Sequence, residues 1–393
     1  MPWKDTCPME QKLQFIIESR SGTLTMTALC ALFGISRQAG YKWRSRFSLR
    51  RGEDSLEEHT RRPHRTPLAT AKKLVDRILR CRHHHPTWGP RKLLAYLRHQ
   101  GLPSTRWPAA STIGDILKRH GLVKPRQRRL RAPPRTQPFS RCTSPNDVWC
   151  VDFKGQFRTG DGALCYPLTV MDAASRFLLA CVALRAPEGP PVRAAFEQLF
   201  ARYGLPKAIR SDNGLPFASS QSPAALTTLS AWWVRLGIRL ERIDPGKPQQ
   251  NGRHERMHLT LKIETASPPR KSFAAQARAF DAFRELYNQV RPHEALGQRP
   301  PAQLYSPSRV ALPSRLPEFQ YPFSDPHLVD CGGAIIWGQR RFFVSTALAG
   351  QTLGAYCLDD RYVEIRFGPI LLGIIDCTAF WRGLIRPWRR AKR

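Results

Sequence analysis

The stretch between residues 124 and 145 constrains the fold of this chain most, because it holds too many prolines and arginines to enter a packed core. Residues 124–135 read KPRQRRLRAPPR, a composition that favours extended, solvated backbone. Apolar residues recur at helical spacing before this stretch, whereas strand-like runs alternate with helical segments after it. The 393-residue chain therefore divides into several domains, and residues 124–145 form a Pro/Arg-rich linker.

Residues 8–47 predict an all-α helix-turn-helix domain. Gly34 suits the left-handed end of a short helix, and Ser36 suits the N-cap of the helix that follows. In such a domain the second helix enters the major groove of DNA. The outward-facing candidates for DNA contact are Arg37, Gln38 and Lys42. A plain three-helix structural unit is the alternative.

Two further segments precede the linker. Residues 48–67 form a basic linker broken by prolines, which either follows phosphates or is only a tether. Residues 68–123 predict a second helical domain that resembles a helix-turn-helix, with Pro90 in the first turn of one helix and Ser111 as the N-cap of another. Its basic outer face makes it a second DNA-binding domain or, alternatively, a scaffold.

The charge of the chain points to nucleic acid. Its 63 Lys and Arg exceed its 30 Asp and Glu and leave a net charge of +33, and neutralising phosphates releases counterions and drives binding. The candidate backbone contacts in the linker are Arg126, Arg128 and Arg129. No apolar run approaches the roughly 20 residues that span a bilayer, and the first residues lack the apolar segment of a signal peptide. We expect a cytoplasmic, nucleoid-associated protein without membrane contact.

Residues 146–305 predict an α/β core. Three meandering strands come first, and helices then alternate with two more strands, which describes a mixed five-stranded sheet with flanking helices. Residues 318–380 hold five short runs of strand-forming residues separated by turns, which predict a small β-barrel-like domain. A basic tail, residues 381–393, ends the chain.

Three carboxylates of the core point to phosphoryl transfer. Asp152 lies in an apolar strand, Asp212 directly follows another short buried strand, and Glu255 lies in the first turns of a helix. A carboxylate in an apolar strand is costly unless its charge is compensated. Two divalent ions would compensate three converging carboxylates, and hard oxygen ligands suit Mg²⁺ or Mn²⁺. Two such ions stabilise the attacking and the leaving oxygens of a phosphodiester displacement, so we predict that all three residues are catalytic and metal-binding.

The residues around Glu255 suggest further contacts. The candidate DNA contacts of this segment are Arg253, Arg256 and Lys262, expected beside the metals where phosphates must lie. For Lys262, a solvated helix face is the alternative. His254 and His258 are expected to contact DNA or solvent rather than metal. Asp172 is expected to be a turn or capping residue rather than a fourth ligand, and His293 to brace the core rather than act in catalysis.

Four sequence blocks resemble those of bacterial insertion-sequence transposases with a retroviral-integrase-like core. They read VWCVDF at residues 148–153, RSDNG at 210–214, PQQNGRHER at 248–256 and YNQVRPHEAL at 287–296. The resemblance covers roughly residues 20–375, and the blocks occur in the family's order. It implies an RNase H-like core, an Asp–Asp–Glu triad at Asp152, Asp212 and Glu255, and at least a dimer as the active assembly.

The sequence therefore predicts a DNA transposase, a polynucleotidyl transferase that cleaves and joins duplex DNA at the terminal repeats of its element and in a target. One alternative is a non-catalytic, sequence-specific DNA-binding regulator. The other is an RNase H-like nuclease without strand transfer. A regulator has no need of three carboxylates in such blocks, whereas only an assay separates the nuclease from the transposase.

Overall fold

The computed structural model describes residues 7–58, 69–101, 105–123, 142–244, 250 and 252–386. The chain divides into two compact units, Met1–Ala69 and Thr70–Arg393. Within the described ranges, no helix has both the length and the apolar composition needed to cross a membrane. The predicted DNA contacts Arg126, Arg128 and Arg129 lie outside the described residues, as do residues 59–67 of the basic linker and residues 387–393 of the basic tail.

The first unit contains three helices, which are α1 (Pro8–Ser21), α2 (Met26–Leu32) and α3 (Arg37–Arg46). Gly34 has a φ of 64° between α2 and α3, where only a glycine is free of steric strain. The hydroxyl of Ser36 accepts a hydrogen bond of 3.2 Å from the amide of Ala39 and so caps α3. These observations confirm the turn and the cap that the sequence predicts.

The start of the predicted basic linker is more ordered than we expected. A 3-10 turn spans Gly52–Leu56, and Leu56 is fully buried against Phe15 and Trp43. One leucine in a polar stretch gives no periodic signal, so the sequence pattern did not reveal this contact. The first part of the linker therefore belongs to the packed first unit.

Three more helices open the second unit, namely α4 (Lys72–His84), α5 (Pro90–Gln100) and α6 (Ala110–Arg119). Pro90 is the first residue of α5, as predicted. The prediction for Ser111 was wrong, because α6 begins at Ala110 with Ala109 at the N-cap. The buried Trp107 fixes the chain just ahead of Ala109, so the helix begins before the serine.

The central sheet contains β1 (Trp149–Phe153), β2 (Phe157–Arg158), β3 (Leu164–Asp172), β4 (Leu178–Leu184), β5 (Ala208–Ser211) and β6 (Arg239–Arg242). Strand β3 is antiparallel to β1 and β4, whereas β5 is parallel to both β1 and β6. The sheet is therefore mixed, and the five predicted strands are present. Strand β2, two residues that pair with the start of β3, is too short to give a sequence pattern.

Helices cover both faces of this sheet. They are α7 (Gly189–Tyr203), α8 (Thr228–Arg235), α9 (Gly252–Thr265) and α10 (Phe273–Glu285). Val170 of β3 packs in the core that includes Phe196 of α7, while the next residue, Met171, packs with Met257 of α9 and Phe280 of α10. Neighbouring residues of a strand face opposite sides, so α9 lies over the face opposite α7.

The last part of the chain is antiparallel β structure. Its strands are β7 (Asp325–Leu328), β8 (Ala334–Trp337), β9 (Arg340–Phe343), β10 (Thr352–Cys357), β11 (Tyr362–Phe367), β12 (Ile370–Asp376) and β13 (Leu384–Ile385). They form a five-stranded sheet in the order β13-β12-β11-β10-β7 and a β8-β9 hairpin. A helical start, a central mixed sheet and antiparallel sheets at the end agree with the predicted fold class. Closure of these sheets into a barrel stays a prediction.

Strands β7 and β13 were not predicted. Strand β13 lies inside the predicted tail and pairs with β12, where Ile385 faces Ile374. At two residues it is again shorter than any pattern that periodicity can detect.

Candidate active site

Two of the predicted carboxylates lie at the ends of adjacent parallel strands. The register of β1 and β5 pairs Cys150 with Arg210. Asp152 lies two residues beyond this last paired position of β1, and Asp212 directly follows the end of β5, so both carboxylates lie at the same edge of the sheet. The carboxyl ends of neighbouring parallel strands are where α/β proteins place their ligand sites.

The third carboxylate, Glu255, is exposed in the first turn of α9. Its proximity is seen in the pKa of Asp152, which is raised to about 7 by burial first, then by the charge of Asp212 and then by that of Glu255. The three side chains therefore share one electrostatic site. Among the residues that the structure describes, no three His, Cys, Asp or Glu side chains form a ready-made metal cluster.

A buried hydroxyl connects the strand of Asp152 to the helix of Glu255. Thr169 of β3 pairs with Asp152, and its hydroxyl donates a hydrogen bond of 3.0 Å to the backbone carbonyl of Asp152. The same oxygen lies 2.6 Å from Nε2 of His254 and 2.7 Å from Nε2 of His258, both on α9. One threonine thus bonds to β1 and to two successive turns of α9.

The protons of this network can be assigned from its donors and acceptors. Burial lowers the pKa of His254 to about 3 and, together with His254, lowers that of His258 to about 2, so both rings are neutral. Thr169 has one proton, which it donates to the Asp152 carbonyl, and two lone pairs. Both histidines must then donate from Nε2–H. The Nδ1 atom of His258 is left as an acceptor 3.8 Å from the Asp152 carboxylate.

The expectation that His254 and His258 face DNA or solvent was wrong. Both are buried, at 0% and 5% exposure, because they share the inner side of α9 with Met257 and Leu261. The spacing of these four positions could have predicted that the histidines are buried, since residues at i, i+3, i+4 and i+7 lie on one helix face. Thr169 itself carries no such signal in the sequence.

The predicted DNA contacts within the described residues lie on two helices, α3 and α9. In α3, three side chains are all exposed: Arg37, Gln38 and Lys42. Lys262 is exposed on α9 and lines a small cleft together with Lys154. Lys154 lies two residues after Asp152 and lowers its pKa. Sequence reasoning missed Lys154, although its position just beyond the apolar strand placed it near the carboxylates.

Arg253 and Arg256 do not lie beside Glu255 on α9. A residue advances about 100° around a helix, so Arg253 lies about 200° from Glu255, and Arg256 lies about 100° from it. Both line a large cleft to which Glu255 does not contribute. The expectation that these two arginines flank the carboxylates was therefore wrong in position.

One structural expectation is confirmed, and a second stays a prediction that one ring contact supports. The buried carboxylate of Asp172 accepts hydrogen bonds from the amide of Asn146 at 2.7 Å and from the amide and hydroxyl of Ser175 at 2.7 and 2.6 Å, so it holds a turn. The ring of His293 packs edge-on against Tyr287, as a bracing residue would.

Comparison with known families accounts for most of these features. Two models described as integrase core domain match residues 143–248 and residues 236–301. A homeodomain-like domain matches residues 39–117, and a helix-turn-helix domain matches residues 11–64. An uncharacterized 31.7 kDa protein of insertion element IS407, from Burkholderia multivorans, is 28% identical over 240 residues, which cover 60% of this chain and 82% of that protein.

Together these matches support an insertion-sequence transposase with an integrase-like core and N-terminal helix-turn-helix domains. A 39.2 kDa protein of insertion element IS476, from Xanthomonas euvesicatoria, is a second relative, 29% identical over 240 residues that cover 60% of the transposase and 66% of that protein. Among solved structures, the HTLV-2 integrase catalytic core domain in complex with magnesium aligns with a TM-score of 0.33 and 17% identity. That alignment covers 42% of the transposase and 99% of the viral domain.

The raised pKa of Asp152 predicts that its charge opposes folding. The folded-state pKa of about 7 exceeds the ordinary value of 3.8, so the ionised carboxylate destabilises the fold increasingly as pH rises from the ordinary value to about 7. In metal-free buffer above that pH, Asp152→Asn should raise Tm by several degrees, because each kcal/mol moves Tm by about 2–4 °C. Thermal unfolding with a chelator present measures this.

Asp147→Asn is the matched control, and for this variant we expect the opposite change in Tm. Burial raises the pKa of Asp147, but hydrogen bonds from Lys207, Ser144 and Thr143 outweigh it and lower this pKa overall. Its charged form therefore stabilises the fold, and the substitution should lower Tm at neutral pH. If Asp152→Asn lowered Tm as well, the crowding of charge at Asp152 would be disproved.

Proposed function

We propose that this transposase is a metal-dependent polynucleotidyl transferase that cleaves phosphodiester bonds at the terminal repeats of its insertion sequence and joins the ends to target DNA. The observation that supports this most is the electrostatic state of Asp152. A half-buried carboxylate whose pKa is raised by burial first and then by two other carboxylates is stabilised when cations neutralise the group. We assign Asp152, Asp212 and Glu255 as the catalytic and metal-binding residues.

The donor set fits divalent metal. All three groups are carboxylates, the hard oxygen donors that Mg²⁺ and Mn²⁺ prefer, and Asp212 and Glu255 are accessible from solvent. We propose that the three residues hold two ions, preferably Mg²⁺. When bound, such ions stabilise negative charge on the attacking and leaving oxygens of a phosphodiester.

The chain's own cations near the carboxylates would position the DNA. Lys154 and Lys262 line the same cleft at the edge of the site where Asp152 lies. Their ammonium groups can bind the phosphates that flank the reacting bond, since phosphate contacts fix the register of DNA on a protein. Thr169 would act through Asp152 as a positioning residue, by holding β1 and α9 at a fixed spacing.

Recognition of the element is assigned to the helical segments. Arg37 and Gln38 lie at the N-terminal end of α3 with Lys42 one turn further on, all exposed, as required for base contact in the major groove. We propose that residues 8–47 and 68–123 bind the terminal repeats. Arg126, Arg128 and Arg129 would follow the phosphate backbone between these domains and the core of residues 146–305.

The assembly and location follow from the reaction. Joining two ends of an element to one target requires two active sites, so we propose at least a homodimer that acts on the nucleoid in the cytoplasm. A DNA-binding regulator would not need three coupled carboxylates. A nuclease without strand transfer uses the same chemistry, and the two are separated by whether joined products form.

Neutralising each carboxylate tests the assignment directly. With Mg²⁺ and a duplex carrying the inverted repeats that flank its own gene, the wild-type protein should nick and join DNA. Asp152→Asn, Asp212→Asn and Glu255→Gln should each lower the rate by about 10²- to 10³-fold or more, as the loss of a transition-state stabiliser does. DNA binding should persist in all three variants. The products are resolved on denaturing gels.

The matched control is Asp281→Asn, on the exposed side of α10, which should keep the wild-type rate. Full activity in any one of the three variants would remove that residue from the assignment. Nicked but never joined products from the wild-type protein would favour the nuclease.

Replacing Thr169 tests its positioning role. Thr169→Val keeps the shape but leaves two buried histidines without their acceptor, which should destabilise the fold by about 1–3 kcal/mol. Displacing Glu255 from Asp152 should also lower the rate, by up to about 10²-fold, and raise the Mg²⁺ concentration that gives half the maximal rate. Thr169→Ser retains the hydroxyl and should restore both properties.

The Mg²⁺ concentration needed for half the maximal rate distinguishes a positioning role of Thr169 from a purely structural one. A Thr169→Val protein that is less stable but needs no more Mg²⁺ than the wild type would show that the network only supports the fold.

A further inference from the structure

A cleft of about 1150 Å³ lies on the side of α9 turned away from Glu255. Its walls are the first turns of α5 and α6, one face of α9 and the segment that follows α10. Thr87 and Arg291 each donate a hydrogen bond of 2.6 Å to the Glu264 carboxylate. These bonds attach the loop before α5 to the core and keep the walls in place.

The lining of this cleft is strongly cationic. Six basic side chains face one acidic side chain, Glu294. The basic residues are Arg91, Lys92, Arg176, Arg253, Arg256 and Arg291. Arg91 is paired with Glu294 at 2.7 Å and Arg291 with Glu264. Within the described part of the chain, the other four form no ion pair with a carboxylate.

The crowding of these charges is visible at two residues. Burial first, and then the charges of Arg291 and Arg256, lower the pKa of Lys92 to about 8. The Nη1 atom of Arg176 is buried and has no hydrogen-bond partner in the described residues. Glu264 and Glu294 oppose the shift at Lys92 without cancelling it, so further anions would stabilise these cations.

Two helix N-termini add to the positive potential. Helices α5 and α6 both begin at the cleft, and neither N-cap side chain makes a capping hydrogen bond. The amides of the first turn of α6 are therefore not occupied by a side-chain cap, and such amides bind phosphate oxygens well. At α5, Pro90 has no N–H and the Lys92 amide donates to the Gly89 carbonyl, so this helix contributes mainly its dipole.

The dimensions favour a polymer over a single anion. From Arg253 to Thr260 the cleft follows eight residues of α9, which rise about 10 Å along the helix axis. Phosphates recur about every 3.4 Å along the axis of a DNA strand, so this wall alone is long enough for several of them.

We propose that this cleft binds the phosphodiester backbone of DNA as a second site, separated by α9 from the bond that reacts at the carboxylates. The inference rests on the proposed function for its ligand class. Occupation of both faces of α9 by DNA would let the core hold one stretch of backbone while another stretch reacts.

Salt-dependent binding of the full-length chain tests the cleft. The probe is a fluorescently labelled duplex of arbitrary sequence, measured by anisotropy over a series of salt concentrations. The double variant Lys92→Gln/Arg256→Gln should bind more weakly, and its slope of log K against log salt should fall by about 2, roughly one for each phosphate no longer neutralised. The control Arg278→Gln/Arg309→Gln removes two exposed charges outside the cleft and should keep the wild-type slope.

A substitution that removes no native contact provides a second test. Ser111 is exposed on the cleft wall. Ser111→Glu adds a negative charge there and should weaken binding, whereas Ser111→Gln, of similar size, should not. Thermal unfolding verifies that each variant is folded.

Two outcomes would overturn the second site. One is a wild-type slope in the double variant, and the other is an equal loss of slope in the control. Either result leaves the carboxylate proposal intact, because that proposal is judged by nicking and joining. Conversely, a wild-type chain that binds through the cleft but never nicks DNA would refute the catalytic proposal alone.

Discussion

The cost of holding the Asp152 carboxylate partly out of water beside two other carboxylates is the constraint on which the rest of the core depends. The parallel pairing of β1 with β5 places Asp152 and Asp212 at the same edge of the sheet, and α9 adds Glu255, so burial and like charge both act on Asp152. The surrounding residues fix this arrangement. Thr169 bonds to the Asp152 strand and to two histidines of α9, and so links the strand to the helix.

Helix α9 separates two regions of opposite charge. On one side, Glu255 lies with the acidic group proposed to bind cations, and on the other, Arg253 and Arg256 line the cleft proposed to bind DNA. The buried side between them carries the neutral histidines against the sheet. Because one helix carries all three faces, its placement would set the distance between a stretch of DNA bound in the cleft and a bond that reacts at the carboxylates.

The sequence predicted the sheet and the three carboxylates because apolar runs mark buried strands and a charge inside such a run is conspicuous. The sequence-based predictions failed for residues whose surroundings depend on which face of a helix they occupy. Arg253 and Arg256 are close to Glu255 in sequence and lie on other sides of the helix, and His254 and His258 look polar but share a face with Met257. The cationic cleft joins residues from α5, α9 and the segment after α10, contacts that only the tertiary fold reveals. Short strands such as β13 leave no periodic signal.

Anomalous diffraction from crystals grown with Mn²⁺ tests the central claim most directly. Manganese scatters anomalously and shares the oxygen preference of Mg²⁺. The account predicts anomalous peaks bonded to the carboxylates of Asp152, Asp212 and Glu255. Peaks located elsewhere, or an ion held by one of these residues while the other two point away from it, would contradict the account.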